Sequence, residues 1–146
     1  MSENVFRWDY RVSYADCTVG NHVYHSRYLD LLERARGEFF RHIGKPLVDL
    51  QQEGTSFLVL ECHLQYHSPA RYDDLLTIEV SVKAAKGVRL NCRHRILGQN
   101  SRCLVEGETL HVCTSIEGKP KRLPKELVNL LGEYWPAVES AVAPRV

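Results

Sequence analysis

Within the first quarter of the chain, Asp16, Thr18, His22, His25 and Glu33 are the residues whose types and spacing suit acid–base work. Asp16 and Thr18 are two apart, so on extended backbone they project to the same side. A threonine hydroxyl can orient water by hydrogen bonding, but it is a poor base or nucleophile without an activating partner. An imidazole titrates near neutral pH, which suits His22 and His25 to general acid or base roles. Glu33 stands two helical turns beyond His25. Each residue also has a structural use: Asp16 to cap a turn, Glu33 to pair with Arg34 or Arg36, the histidines to cap a helix start.

Other chemistry is weakly supported. His63 and His67 are four apart, but in a strand that spacing separates the rings too far for a metal pair; half-buried strand positions are expected, and no metal. The five cysteines, Cys17, Cys62, Cys92, Cys103 and Cys113, form no CxxC pair and are odd in number. With no secretory signal ahead of them, they read as reduced thiols of a cytoplasmic protein, most of them small core residues. The formal net charge of +1 gives no general pull toward nucleic acid or an anionic membrane.

The elements that must position these residues follow from periodicity. Phe6 to Tyr14 is rich in aromatic and β-branched residues and predicts a strand, broken by the polar segment Ala15 to Asn21. From about His22, apolar residues recur at helical spacing through Tyr28, Leu31, Leu32, Ala35, Phe39 and Ile43, with Leu29 and Phe40 widening the stripe. Gly44 and Pro46 stop this helix. The period then changes to two: strands are expected over Ser56–His67, around Leu76 to Val82, around Val88 to Ile96, and over Arg102–Ser115, with Gly107 as a candidate bulge. Pro124 opens a short helix that should run to about Tyr134 and end near Pro136. Strands in succession with short turns make an antiparallel sheet, and one long, broadly apolar helix is available to cover its face. The predicted architecture is α+β, a curled five-stranded sheet around a helix, in one domain spanning residues 1–146.

The segment from Arg11 to Arg36, RVSYADCTVGNHVYHSRYLDLLERAR, is more specific. Its Arg11-Val12, Asp16, Val23-Tyr24-His25, Tyr28-Leu29 and Glu33-Arg34-Ala35-Arg36 resemble, at matching intervals, the active-site segment of the 4-hydroxybenzoyl-CoA thioesterase family. The stretch from Tyr66 to Asp74 resembles that family's Pro-Ala-Arg turn, and Lys121-Arg122-Leu123-Pro124 resembles the basic loop before its final helix.

The resemblance implies a hotdog fold and hydrolysis of an acyl thioester, with coenzyme A present only as part of the substrate. The thioester oxygen would sit at the start of the long helix, against the His25 backbone N–H. The family's catalytic carboxylate is the second aspartate of an Asp-x-Asp element; here Asp16-Cys17-Thr18 puts Thr18 in that place. Water activation would then involve Asp16, Thr18, His25 or Glu33. Val23 and Tyr24, with Val19, Phe57 and Leu58, would wall the acyl pocket. Lys86 and Arg89, and Lys119, Lys121 and Arg122, would meet the carrier's phosphates through charge-assisted hydrogen bonds. The thioester's carrier is coenzyme A or an acyl-carrier protein, since both present the same arm. The alternative reading is a hotdog that binds an acyl carrier without hydrolysing it. The family also implies a homo-oligomer, a dimer or a homotetramer.

Overall fold

In a computed structural model describing residues 5–135, five strands form one antiparallel sheet: β1 (Phe6–Arg11), β2 (Ser56–Tyr66), β3 (Leu75–Lys86), β4 (Arg89–Leu97) and β5 (Cys103–Thr114). Their order across the sheet is β1-β3-β4-β5-β2, so β1 and β2 are the edges. Helix α1 (Arg27–His42) crosses one face, followed by a short α2 (Leu47–Gln52); α3 (Lys125–Leu131) closes the described chain. Residues 1–4 and Pro136, the expected helix stop, lie outside the described residues.

The two periods account for the packing. Alternate residues Leu76, Ile78, Val80 and Val82 of β3 and Leu90, Cys92, His94 and Ile96 of β4 are buried on the same face of the sheet. Helix α1 lays Tyr28, Leu31, Leu32, Ala35, Phe39 and Phe40 against them. Leu29 does not join the stripe; it remains exposed.

Several boundaries shift, each for a local reason. The first strand ends at Arg11 because Ser13 and Asp16 form a capping box around a 3-10 turn. The long helix begins at Arg27, five residues after its expected start, because Thr18 to Val23 folds back as a small loop tied by Thr18 N–H to His22 O and Val23 N–H to Ala70 O. Helix α2 escaped prediction because six residues are too short to show a period. No bulge falls at Gly107: the register slips at Leu60 of β2, at Lys83 of β3 and, in the last strand itself, at Leu104 of β5. Gly107 instead allows close approach, since a Cβ there would collide with the His63 carbonyl oxygen.

The cysteines divide. Cys92 and Cys113 are buried core residues as expected, Cys17 and Cys103 are partly covered, and Cys62 on the edge strand is exposed; all five are unpaired. His63 and His67 are also exposed, 76% and 43% at their side chains, where half-burial was expected; they lie against Glu61 and Glu106 at the outer face of the sheet edge.

Candidate functional site

The loop before α1 and the end of β2 enclose a cavity of about 580 Å³. Thr18, Val19, Gly20, His22, Val23, Tyr24, His25 and Tyr28 form one wall; Tyr66, His67, Ser68 and Pro69 form the other. Two contacts pin the walls together. The Tyr66 hydroxyl donates to the His25 carbonyl at 3.2 Å, and the Ala70 N–H donates to the Tyr28 hydroxyl at 3.1 Å. Burial is the leading cause that raises the Tyr28 pKa, keeping it a neutral phenol.

The helix start is open. Tyr24 N–H donates to Asp16 O, but the N–H groups of His25 and Ser26 make no hydrogen bond among the described residues, and Ser26 caps nothing with its side chain. Free N–H groups at a helix start favour an oxygen that gains negative charge.

Thr18, Val23, Tyr24 and His25 therefore share one cavity, as does Val19. Asp16 does not line it. Its Oδ2 accepts from the Tyr10 hydroxyl (2.7 Å), the Ser13 N–H (2.9 Å) and the Ser13 hydroxyl (3.3 Å), so this carboxylate stabilises the turn. Glu33 lies in a second cavity of about 270 Å³, with Arg36, Phe40, Ser56, Phe57 and His111 among its lining. No ion pair joins it to Arg34 or Arg36: Arg34 instead stacks over Trp8 and Tyr10, 5.6 and 5.0 Å from their ring centroids. Leu58 points away from both cavities, half exposed on the β2 edge.

The basic residues gather elsewhere. Lys86 and Arg89 face each other across the β3–β4 turn, and that turn is stitched to the loop before α3 by Leu123 N–H to Gly87 O. Arg122 is exposed there, while the Lys121 ammonium donates to Gly54 O and Thr55 Oγ1. This corner lies at the Ser56 end of the sheet and the 580 Å³ cavity at the Tyr66 end. The 11 residues of β2 separate them by roughly 33 Å at the usual rise per strand residue.

Sequence reasoning gave Tyr66, His67 and Tyr28 no place at the site. The first two stand in the Tyr66-His67-Ser68-Pro69 stretch of the Pro-Ala-Arg motif, which was the available signal. It also missed that His67, Cys103 and Glu106 bring donor atoms within 4.8 Å of one another. A His67–Glu106 hydrogen bond of 2.9 Å joins two of the three.

Beneath α1, the inner sheet face carries His94 and His111, each with its Nε2 2.9 Å from Thr109 Oγ1. Burial first, then the Arg36 charge, lowers both imidazole pKa values: His111 to about 3, His94 well below 6.5. Both are neutral when folded, while an unfolded histidine titrates near 6.5. Their stabilising contribution is thus complete above pH 6.5 and is lost as pH falls toward about 3. Urea unfolding should show about 2 kcal/mol less stability at pH 5 than at pH 7 from His111 alone, with His94 adding in the same direction. His111→Val should remove its own share of that difference; an unchanged pH slope in the variant would contradict the assignment.

The Thioesterase-like superfamily model matches residues 12–131 of the chain. The acyl-CoA thioester hydrolase YbgC of Escherichia coli is 37% identical over 129 residues, covering 88% of this chain and 96% of that protein. The crystal structure of a probable thioesterase from Bartonella henselae superposes with a TM-score of 0.78 at 32% identity, covering 82% of this chain and 99% of that one. A variant of 4-hydroxybenzoyl-CoA thioesterase crystallised with 4-hydroxybenzoyl-CoA shares the hotdog fold, with a TM-score of 0.80 at 20% identity over 88% of this chain and 99% of that one.

Proposed function

The chain belongs to the thioesterase-like superfamily, and from that premise we propose that it hydrolyses acyl-CoA thioesters at the cavity before α1. The observation that carries the reading is the pair of free N–H groups, His25 and Ser26, at the edge of a cavity that also holds Thr18. With the thioester oxygen against these donors, the carbonyl carbon becomes electrophilic and the charge that forms on attack is stabilised. A water held by the Thr18 hydroxyl adds its oxygen to that carbon and gives its proton to solvent. The C–S bond then breaks, and the thiolate takes up a proton to leave as coenzyme A. Asp16 supports this geometry through the turn.

The active form is a homodimer joined through β2, acting in the cytoplasm. Three observations support the pairing. Among the described residues, strand β2 pairs with a neighbouring strand only on its β5 side. Its residues Leu58, Val59 and Leu60 expose about half their surface in a row on that unpaired edge, an arrangement a lone protein avoids. Antiparallel pairing of two β2 strands also sets the Ser56 end of one copy beside the Tyr66 end of the other. Lys86, Arg89 and Arg122 of one subunit then stand near the cavity of the second, where they can meet the phosphates of coenzyme A; alone, a subunit keeps them roughly 33 Å apart. Five unpaired cysteines fit a reducing compartment, and no helix among the described residues is long and apolar enough to cross a membrane.

Thiol release across short, long and aromatic acyl-CoAs tests the reading. Wild type should turn over at least one class, and Asp16→Asn should retain most activity once its stability is allowed for. Thr18→Asp supplies a base beside the carbonyl and should raise kcat about tenfold, below the roughly 100-fold or more of a positioned general base because its surroundings did not arise to hold a carboxylate. Saturable acyl-CoA binding with no release by wild type would make the protein a carrier-binding hotdog instead.

A further inference from the structure

The second cavity contains more hydrogen-bonding capacity than a hydrocarbon pocket needs. Its lining includes Glu33, Arg36, Gln51, Thr55, Ser56 and His111 beside the apolar Phe40, Phe57, Val59 and Leu90. The Arg36 guanidinium has no hydrogen bond or ion pair among the described residues. Burial lowers its pKa in spite of Glu33 one turn earlier on the exposed side of α1. A largely buried, unpaired guanidinium is costly unless something negative meets it.

The imidazole pair adds a second donor. His94 Nδ1 is fully buried without a partner. A buried N–H left unpaired is rarer and costlier than a bare acceptor, so His94 carries its proton on Nε2 and donates it to Thr109 Oγ1. The Thr109 hydroxyl then donates its own proton to His111 Nε2. With that nitrogen accepting, neutral His111 holds its proton on Nδ1, which has no partner. This tautomer follows from the network of bonds. Arg36 and His111 thus bring two unanswered donors to one cavity.

We propose that this cavity takes the far end of the acyl group and that the preferred substrates are acyl thioesters ending in a carboxylate, held by Arg36 and His111. The proposal rests on the thioesterase reading for its substrate, but the cavity's ligand chemistry is tested separately. A guanidinium–carboxylate pair with its fork of donors is among the stronger protein hydrogen bonds, and an aliphatic terminus would leave both donors desolvated and unmet.

The test compares kcat/KM for ω-carboxyacyl-CoAs and for unsubstituted acyl-CoAs of equal carbon number, over several chain lengths. Wild type should favour the carboxylate series about 10- to 100-fold, the range set by one charge-assisted contact. Arg36→Met and His111→Val should each cut that preference, lowering kcat/KM for the carboxylate series and raising it for the unsubstituted series, whose chain end no longer leaves a donor unmet; Arg36→Lys, which keeps the charge, should retain part of it. Thermal unfolding identifies any variant that loses its fold, and His111→Val keeps the test alive if Arg36→Met does. Equal or better turnover of unsubstituted chains by wild type would overturn the proposal and leave the thioesterase reading standing. Absence of hydrolysis on every thioester would count against the thioesterase reading alone. Titration with non-hydrolysable ω-carboxyalkyl and plain alkyl thioethers of coenzyme A then decides: tighter carboxylate binding lost in Arg36→Met sustains the proposal, and equal binding overturns it.

Discussion

His25→Pro is expected to lower kcat/KM for acyl-CoA hydrolysis about 100- to 1,000-fold, the usual consequence of removing one oxyanion donor. The His25 N–H is free at the helix start, beside Thr18 in the same cavity. Proline deletes this hydrogen and leaves the carbonyl that accepts from Tyr66. His25→Ala keeps the N–H and removes the imidazole, whose ring rests 4.5 Å from that of Tyr24; it should lose less than about tenfold, below the usual contribution of a general acid or base. Circular dichroism and thermal unfolding of both variants separate loss of the donor from loss of fold. If alanine costs as much as proline, the side chain carries the effect and the backbone assignment fails.

Phe39→Ala is the substitution expected to cost most in stability, about 3–5 kcal/mol. Phe39 has no exposed surface and sits at the centre of an aromatic group: Phe6 at 5.6 Å, Phe40 at 5.8 Å and Tyr134 at 4.9 Å between ring centroids. These partners come from β1, α1 and the turn after α3, so truncation opens a void where three elements meet. Native domains have only 5–15 kcal/mol in hand, and the melting temperature should fall by roughly 10–15 °C. Leu29→Ala on the same helix should change stability by well under 1 kcal/mol, since Leu29 is 38% exposed. Similar losses at both positions would mean that the helix is not docked as described.

The contrast between Leu29 and Phe39 shows how far periodicity reaches. Spacing identified the stripe through Tyr28, Leu31, Leu32, Ala35 and Phe39, because a helix repeats every 3.6 residues whatever surrounds it. It could not tell that the margin at Leu29 faces solvent, since the width of a buried face depends on what packs there. The strands were legible by the same logic, and their order was not: the placement of β2 beside β5 instead of β3 joins residues far apart in the chain. The site divides similarly. Thr18, Val23, Tyr24 and His25 are close in sequence and lie in one cavity, whereas Tyr66 and His67 reach it from β2. The His94–Thr109–His111 chain joins β4 to β5 and feels the charge of Arg36 on α1, a proximity that no local spacing reports.

By itself, the sequence determined what short-range geometry and residue type dictate: one long helix and a short C-terminal one among five strands, and the hotdog resemblance. Only the tertiary structure decided how the candidate residues are shared out. It commits Asp16 to a turn, sends Glu33 to a second cavity with Arg36, and puts the basic corner at the opposite end of the sheet from the open helix start. The physical reason is that a side chain's work depends on which partners reach it first, and long-range packing chooses those partners.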